Sequence, residues 1–320
     1  MELTPVGLDF GNGFIKIAIE GKVSKIPAAY SLIEPSGALN TKTGFRAKAK
    51  VFSMLADNQT LWFGQDVLSI TSIRELDALK YNPKHIMILF KAVLYHWSKQ
   101  HRIDVESLGR LCVIASMPPD LFSDRAKYQV AYKAYSQAFN TTKPVYIRTE
   151  NKTIRISTKL LSVKREAISY IEVNQSRLPG YTLLMDLGYG TVDSGLFKDG
   201  HSEPVFISTK NNGLLHAYTA IDDLNPDDIE LRVMAKDSVI QQVKPYLNTI
   251  KRNIVLAQRQ LESKGGLKTL ILIGGSTRLM DSTFKSSLKA IAPNLIIKDE
   301  FENARSNLKF AQKEITNGIT

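Results

Sequence analysis

Two stretches far apart in the chain follow one plan, and that repetition constrains the fold more than any other feature. VGLDFGNGFIKIAIEG begins at Val6, and YTLLMDLGYGTVDSGLF runs from Tyr181 to Phe197. Each reads as an apolar strand, an aspartate (Asp9, Asp186), a glycine-bearing turn (Gly11-Asn12-Gly13, Gly188-Tyr189-Gly190) and a second strand. Asn and Gly at such turns are expected to take the positive φ angles of tight hairpins. In the first copy Ile15, Ile17 and Ile19 alternate with Lys16 and Ala18, which predicts a half-buried strand. A hairpin alone does not account for an acid at the end of an apolar strand, twice, two residues before a glycine. Repetition of the plan points to an internal duplication. Amides of a glycine-rich turn form a concave anion site, and absent side chains let backbone approach phosphate closely. Two such turns can grip a polyphosphate while two carboxylates hold a hydrated magnesium ion.

With 320 residues, 43% of them hydrophobic, the chain is long enough for about two domains with sizeable cores. It holds no run of eighteen apolar residues, and Met1–Pro5 leads straight into a strand without a signal-peptide pattern. A cytoplasmic protein with no membrane partner is expected. The lone cysteine, Cys112, lies in the apolar run LCVIASMP and reads as a buried small hydrophobe. His85, His96, His101, His201 and His216 lack zinc-ligand spacing, and none is assigned to a site. The formal charge of +11 is compatible with nucleic acid, an anionic surface or an acidic protein partner. Its densest patch, TKTGFRAKAK, carries Lys42, Arg46, Lys48 and Lys50. It is open to two readings, a solvated loop or a non-specific DNA contact.

Periodicity and punctuation place the remaining elements. LWFG reads as a strand turned at Gly64. A helix is expected from Pro83 to Gln100, where Ile86, Leu89, Phe90, Val93, Leu94 and Trp97 recur at helical spacing. RLCVIASMP is a buried strand stopped by Pro118-Pro119, and a helix runs from Ser123-Asp124 to Phe139. Val145 to Ser162 reads as β structure with a turn at Glu150-Asn151, followed by a helix over VKREAISYIEVN. Asn211-Asn212-Gly213 is a break. Ser238 to Glu262 is a long helix with Pro245 as a kink or boundary. TLILIGGSTRLM gives a buried strand, a Gly274-Gly275 turn and a helix start. The end, from Glu300, is expected to be helical, anchored by Phe301, Leu308 and Phe310.

LDFGNGFIK, MDLGYGTVD and LILIGGSTRL, in that order, resemble the two phosphate motifs and the adenosine motif of the actin-like ATPases, and within them the ParM/StbA-type bacterial and archaeal actins. LWFGQDVLS, VLYHW, VIASMPPD and ENAR extend the resemblance over essentially the whole chain. It implies an α/β, duplicated ribonuclease H-like, two-domain fold with nucleotide in the interdomain cleft. The domains would be 1–165, with a small insertion at about 25–82, and 166–320, with one at about 214–250. By the match of motifs, Asp9 and Asp186 would hold Mg2+ through water. Gly11, Asn12, Gly13 and Lys16 would serve the β-phosphate. Gly188, Tyr189, Gly190 and Thr191 would form the opposing loop, with Asp193 as a further acid of the motif. Gly274, Gly275 and Ser276 would pass beneath adenine, although taken alone Gly274-Gly275 is also an ordinary strand–helix turn. Glu166 sits where relatives carry the residue that orients the attacking water. A carboxylate suits that task, and a solvated helix glutamate beside Lys164 or Arg165 is the other reading.

The resemblance implies an ATPase, with GTP as an alternative nucleotide, that forms homopolymeric filaments controlled by hydrolysis. It further implies segregation of plasmid DNA through a DNA-binding adaptor protein. A non-polymerising small-molecule kinase or a nucleotide switch of the same superfamily is the alternative. A nucleic-acid-binding module rests on charge alone.

Overall fold

The structure is a computed structural model that describes residues 2–11, 13–35, 51–64, 67, 73–74, 81–201, 206–210, 213–214 and 240–318. Asn12, the basic residues Lys42, Arg46, Lys48 and Lys50, and residues 215–239 of the second expected insertion lie outside the described residues. The chain forms two compact units. One is Met1–Ala115, Ala126–Val163 and Phe310–Thr320; the other is Ser116–Arg125 and Lys164–Lys309.

In the first unit the chain runs through β1 (Leu3–Phe10), β2 (Phe14–Ile19), β3 (Lys22–Pro27), β4 (Ala29–Tyr30), β5 (Val51–Ala56), β6 (Gln59–Gly64) and β7 (Ile73–Arg74). Then follow α1 (Pro83–His101), β8 (Arg110–Met117), α2 (Arg125–Phe139), β9 (Val145–Arg148) and β10 (Thr153–Arg165). Eight strands make one sheet in the order β3-β2-β1-β8-β10-β9-β5-β6, and β4 pairs with β7. β1 is antiparallel to β2 and parallel to β8, Leu3 facing Arg110 and Leu8 facing Ala115. Ile15, Ile17, Ala18 and Ile19 are all buried. The half-buried reading of β2 is therefore corrected: the strand is buried on both faces, with Lys16 partly exposed.

Helix α1 forms where the sequence spacing places it. Asn82 Oδ1 accepts the Lys84 and His85 amide N–H groups at 2.9 and 3.3 Å, and Pro83 fills the first helical position. Arg102, left-handed at φ 57°, ends it. Trp97 is fully buried and donates its indole N–H to the Lys22 carbonyl at 3.2 Å, tying α1 to β3. Cys112 is buried within β8, and burial pushes its thiol pKa up.

The second unit carries α3 (Ile168–Asn174), β11 (Tyr181–Leu187), β12 (Val192–Lys198), β13 (Phe206–Lys210), α4 (Ile240–Leu261), β14 (Leu267–Ile273), α5 (Ser282–Lys289), β15 (Asn294–Ile297) and α6 (Glu302–Thr316). Its five-stranded sheet has the order β13-β12-β11-β14-β15. β11 is antiparallel to β12 and parallel to β14, which is parallel to β15. Side chains alternate across a strand, and here each set has its own cover. Leu183, Met185, Leu187, Leu270 and Leu272 pack with Tyr246, Leu247, Ile250 and Ile254 of α4. Leu184, Ile271 and Ile273 pack with Ile168, Tyr170 and Ile171 of α3.

The order β3-β2-β1-β8 in one unit recurs as β13-β12-β11-β14 in the other. The duplication read from the hairpins thus extends to a whole meander and its parallel neighbour. At the C-terminus the helix and its Leu308 anchor are as expected, but the other anchors differ. Ala304, Leu308 and Ala311 are buried, whereas Phe301 and Phe310 are only half-buried. Much of the inner face of α6 is polar, through Asn303, Ser306 and Asn307. Helix α4 passes through Pro245 as a single element, so the proline is neither of its ends. Among the described residues no helix is long and apolar enough to cross a membrane.

Ile250 is fully buried on α4, whereas Leu256 on the same helix is 47% exposed. Ile250→Ala is expected to lower unfolding free energy by about 2–5 kcal/mol. Leu256→Ala should change it by about 0.5 kcal/mol or less. Chemical denaturation of the two variants checks which face of α4 the sheet covers.

Candidate functional site

The first hairpin puts Asp9 and Lys16 opposite one another in the β1–β2 register. Direct cross-strand partners project from the same face, and Lys16 Nζ reaches Asp9 Oδ2 at 2.8 Å. Asp9 is only 2% exposed, so the ammonium compensates a carboxylate that the sheet has taken out of water. The turn closes through the Gly11 N–H, which donates to the Phe14 carbonyl at 3.1 Å. A Cβ on Gly11 would stand 3.0 Å from that carbonyl oxygen. Gly11 is absent from the residues with positive φ. The expected reason for its glycine is therefore corrected: space, not backbone sign, excludes a side chain. The Gly13 carbonyl accepts the Ala28 amide at 3.0 Å.

The second hairpin repeats this geometry. Asp186 faces Asp193 in register, as Asp9 faces Lys16, and both acids are buried. A Cβ on Gly188 would stand 2.9 Å from the Thr191 carbonyl oxygen, the same three-residue reach as in the first copy. Thr191 Oγ1 donates to Asp193 Oδ2 at 3.3 Å. The ring of Tyr189 packs against the cluster beneath α4. Two carbonyls of the turn are occupied from behind, where the Gly213 and Leu214 amides donate to Gly190 and Gly188 at 3.2 and 3.3 Å. Gly213 comes so near that a Cβ there would lie 2.5 Å from the Gly190 carbonyl carbon, the Thr191 nitrogen and the Tyr189 oxygen. Sequence reading took Asn211-Asn212-Gly213 only as a break; its buttressing of the turn is a tertiary contact with no local signal.

The Gly274-Gly275 turn follows β14, whose Ile273 pairs with Asp186. Gly274 sits at φ 100°, and a Cβ there would be 2.5 Å from Asp186 Oδ1 and 2.7 Å from the Leu187 oxygen. Conformation and space both demand glycine. At Gly275 a Cβ would meet nothing nearer than Glu300 Oε2 at 3.5 Å, an ordinary contact. Ser276 is buried one residue further on, where a short 3-10 turn, Gly275–Leu279, stands in place of the expected α-helix start. Thr277 Oγ1 donates to the Gly274 carbonyl at 2.8 Å. Burial pushes the Tyr246 phenol up to about 12, with Ser276 and Asp186 as its polar neighbours.

Glu166 does not lie on a helix. Strand β10 continues to Arg165, and α3 starts only at Ile168. Glu166 and Ala167 form the turn between them, with Ala167 at φ 63°. Glu166 is 8% exposed, which overturns the solvated-helix reading. Its amide donates to the Met117 carbonyl at 2.8 Å, and neighbouring Arg165 holds its guanidinium over the Phe122 ring. A residue to which sequence reading gave no role joins this turn to Asp186. Asn303, within the ENAR stretch, donates from Nδ2 to Asp186 Oδ2 at 2.7 Å and accepts the Ala167 amide on Oδ1 at 3.0 Å.

The second unit thus gathers Asp186, Asp193, the 188–191 turn, Gly274, Ser276 and the Glu166 turn; the first gathers Asp9, Gly11, Gly13 and Lys16. Among the described residues no three His, Cys, Asp or Glu side chains form a metal cage. A metal here would be held as Mg2+ commonly is, by few carboxylates plus water and ligand oxygens. The residues present suit a phosphate ligand with such a cation through their chemistry: glycine turns beside the buried acids Asp9, Asp186 and Asp193, with Lys16 as a cation.

No protein-family model matches the chain, and no curated protein sequence does so. Solved structures do. The archaeal actin homologue Ta0583 superposes with a TM-score of 0.70 at 18% identity, over 98% of this chain and 100% of that one. Its complex with ADP superposes at 0.69 and 17% identity, over 98% and 100% of the two chains. Apo ParM of pSK41 gives 0.64 at 17% identity, covering 100% of this chain and 99% of that one. A filament structure of Alp12 gives 0.60 at 14%, over 98% and 100%. Repetition of a meander with its parallel strand, and a match along the whole length of these proteins, identify the architecture of this chain as the actin fold.

Proposed function

We propose that this protein is an ATPase that assembles into filaments and uses hydrolysis to control their turnover. One observation carries the reading: two hairpins with the same buried acid and the same crowded glycine, one in each unit of an actin fold. Glycines leave a turn without side chains, which lets a phosphate come within reach of its amides. In this reading Asn12, which lies outside the described residues, and Gly13 would serve the phosphate from the first hairpin, and Gly188, Tyr189, Gly190 and Thr191 from the second; the Gly11 N–H is already given to the Phe14 carbonyl. Lys16 brings charge to the β-phosphate. Asp9 and Asp186 would hold Mg2+ through water, and that ion would supply charge neutralisation on the phosphate oxygens. Gly274, Gly275 and Ser276 leave room for adenine. Glu166, fixed in a buried turn, orients the attacking water.

The Ta0583–ADP complex and the Alp12 filament support nucleotide binding and self-assembly, being structures of proteins with the same fold. ATP is the proposed nucleotide and GTP the alternative. The cellular role we propose is segregation of plasmid DNA through an adaptor protein, in the cytoplasm, with Lys42, Arg46, Lys48 and Lys50 as a non-specific DNA contact.

The direct test is sedimentation with and without Mg-ATP beside a phosphate-release assay. ATP-dependent pelleting accompanied by phosphate release is expected; soluble protein that releases no phosphate rejects the proposal. Asp186→Ala should nearly abolish turnover in protein that still folds by circular dichroism. Glu166→Ala is expected to slow hydrolysis by roughly ten- to a thousandfold, with ATP affinity little changed and filaments persisting. Gly213→Ala, whose Cβ has no room behind the 188–191 turn, should weaken ATP binding by about tenfold or more in a calorimetric titration.

A further inference from the structure

We infer that Asn303 is a positioning residue that sets the Asp186 carboxylate and the Glu166 turn relative to each other, an inference that rests on the role proposed above for Glu166. Its side chain is 6% exposed, in the first turn of α6. The amide orientation follows from chemistry: the Ala167 N–H can only donate, and a carboxylate at Asp186 can only accept. Oδ1 therefore takes the Ala167 proton at 3.0 Å, and Nδ2 gives its own to Asp186 Oδ2 at 2.7 Å.

Both ends of this bridge need holding. Ala167, at φ 63° and ψ −43° with the Ile168 amide bonded to the Glu166 carbonyl at 2.7 Å, is the centre of a γ-turn; such strain costs a non-glycine residue roughly 1–3 kcal/mol and persists only where the surroundings over-determine it. The Glu166 amide is pinned on one side by the Met117 carbonyl at 2.8 Å. Asn303 pins the next peptide from the other side, so the Glu166 side chain leaves a backbone fixed at consecutive amides. At its far end the same amide takes Asp186 Oδ2, while Gly274 crowds Oδ1. The carboxylate is hydrogen-bonded at Oδ2 and has no room for a side chain beside Oδ1.

Helix α6 is itself fixed where it starts. Arg305 binds both carboxylate oxygens of Asp299, at 2.6 and 3.0 Å, and Asp299 also accepts the Phe301 amide at 2.9 Å. One turn beyond Asn303, Asn307 accepts the Ser169 hydroxyl at 3.1 Å and donates to Ser116. The helix thereby registers against α3 through Ser169 and against β8 through Ser116. Aspartate at 303 keeps an acceptor for Ala167 but sets a carboxylate against Asp186; alanine loses both bonds; glutamine adds a methylene to a filled site.

Two measurements test this. In the nucleotide-free protein, residue-resolved hydrogen exchange should show the Ala167 amide losing about tenfold protection in Asn303→Ala and keeping it in Asn303→Asp. In steady-state hydrolysis both variants should lower kcat by about ten- to a hundredfold with KM within about twofold. The loss from Asn303→Ala should be at least about threefold smaller in a Glu166→Ala background, because the group it aims is gone. A merely structural asparagine lowers kcat by the same factor in both backgrounds, and that result overturns the inference, as does unchanged protection of Ala167. If Asn303→Ala fails to fold, Asn303→Asp decides: normal kcat in that variant is also fatal. A wild-type protein without turnover, or Glu166→Ala with normal turnover, overturns the role proposed for Glu166, and the exchange measurement then still accepts or rejects the clamp itself.

Discussion

A carboxylate at the end of a strand covered on both faces has left water, and its surroundings must replace what hydration supplied. Everything around the candidate site follows from meeting that demand twice. Asp9 is answered by charge, through Lys16 directly across the hairpin. Asp186 has an acid at the corresponding cross-strand position and draws on a hydrogen bond from Asn303, brought in by a helix more than a hundred residues later. The choice reaches outward. Using Lys16 keeps the first site within one hairpin. Using Asn303 makes the second site depend on the register of α6 and on the glycine turn after β14.

The two units therefore show what a duplication keeps and what it lets go. Strand order, the parallel partner and the three-residue reach of the turn glycine are common to both. These are backbone properties, set by sterics. The residue facing the acid, lysine in one copy and aspartate in the other, is free to differ because it occupies the same pleat in either form. Divergence of that one pair gives the halves different electrostatics on the same frame.

Sequence made the strands and hairpins legible because their determinants are local: apolar runs, turn glycines, proline stops, and for α1 an asparagine and proline at its start. The Glu166 turn was not legible. Helical spacing through Ile168 and Ile171 extends back into VKRE with nothing to stop it, and alanine does not advertise a γ-turn. The strand reaches Arg165 because β10 is held in a sheet whose partners lie elsewhere in the chain. Asn303 and Gly213 were hidden for a related reason. Each acts on residues far away in sequence, and neither residue type announces a target. The C-terminal anchors were misjudged because size was taken as a guide to burial; the small Ala304 and Ala311 let α6 pack closely, while the phenylalanines stay at its edge.

The ion pair between Asp9 and Lys16 has a consequence for which ligands the site can accept. The two side chains compensate one another across the hairpin, so an anion there would have to compete for the ammonium. A bare anion that drew Lys16 away would strand Asp9 in the sheet without that counter-charge, and the cost of doing so offsets the gain. For the nucleotide proposed above, a divalent cation bound with the phosphate would offer Asp9 another counter-charge when Lys16 turned to the ligand. Under the proposed function, the salt bridge would favour metal-complexed phosphates over free ones, through two residues that face each other across a single hairpin.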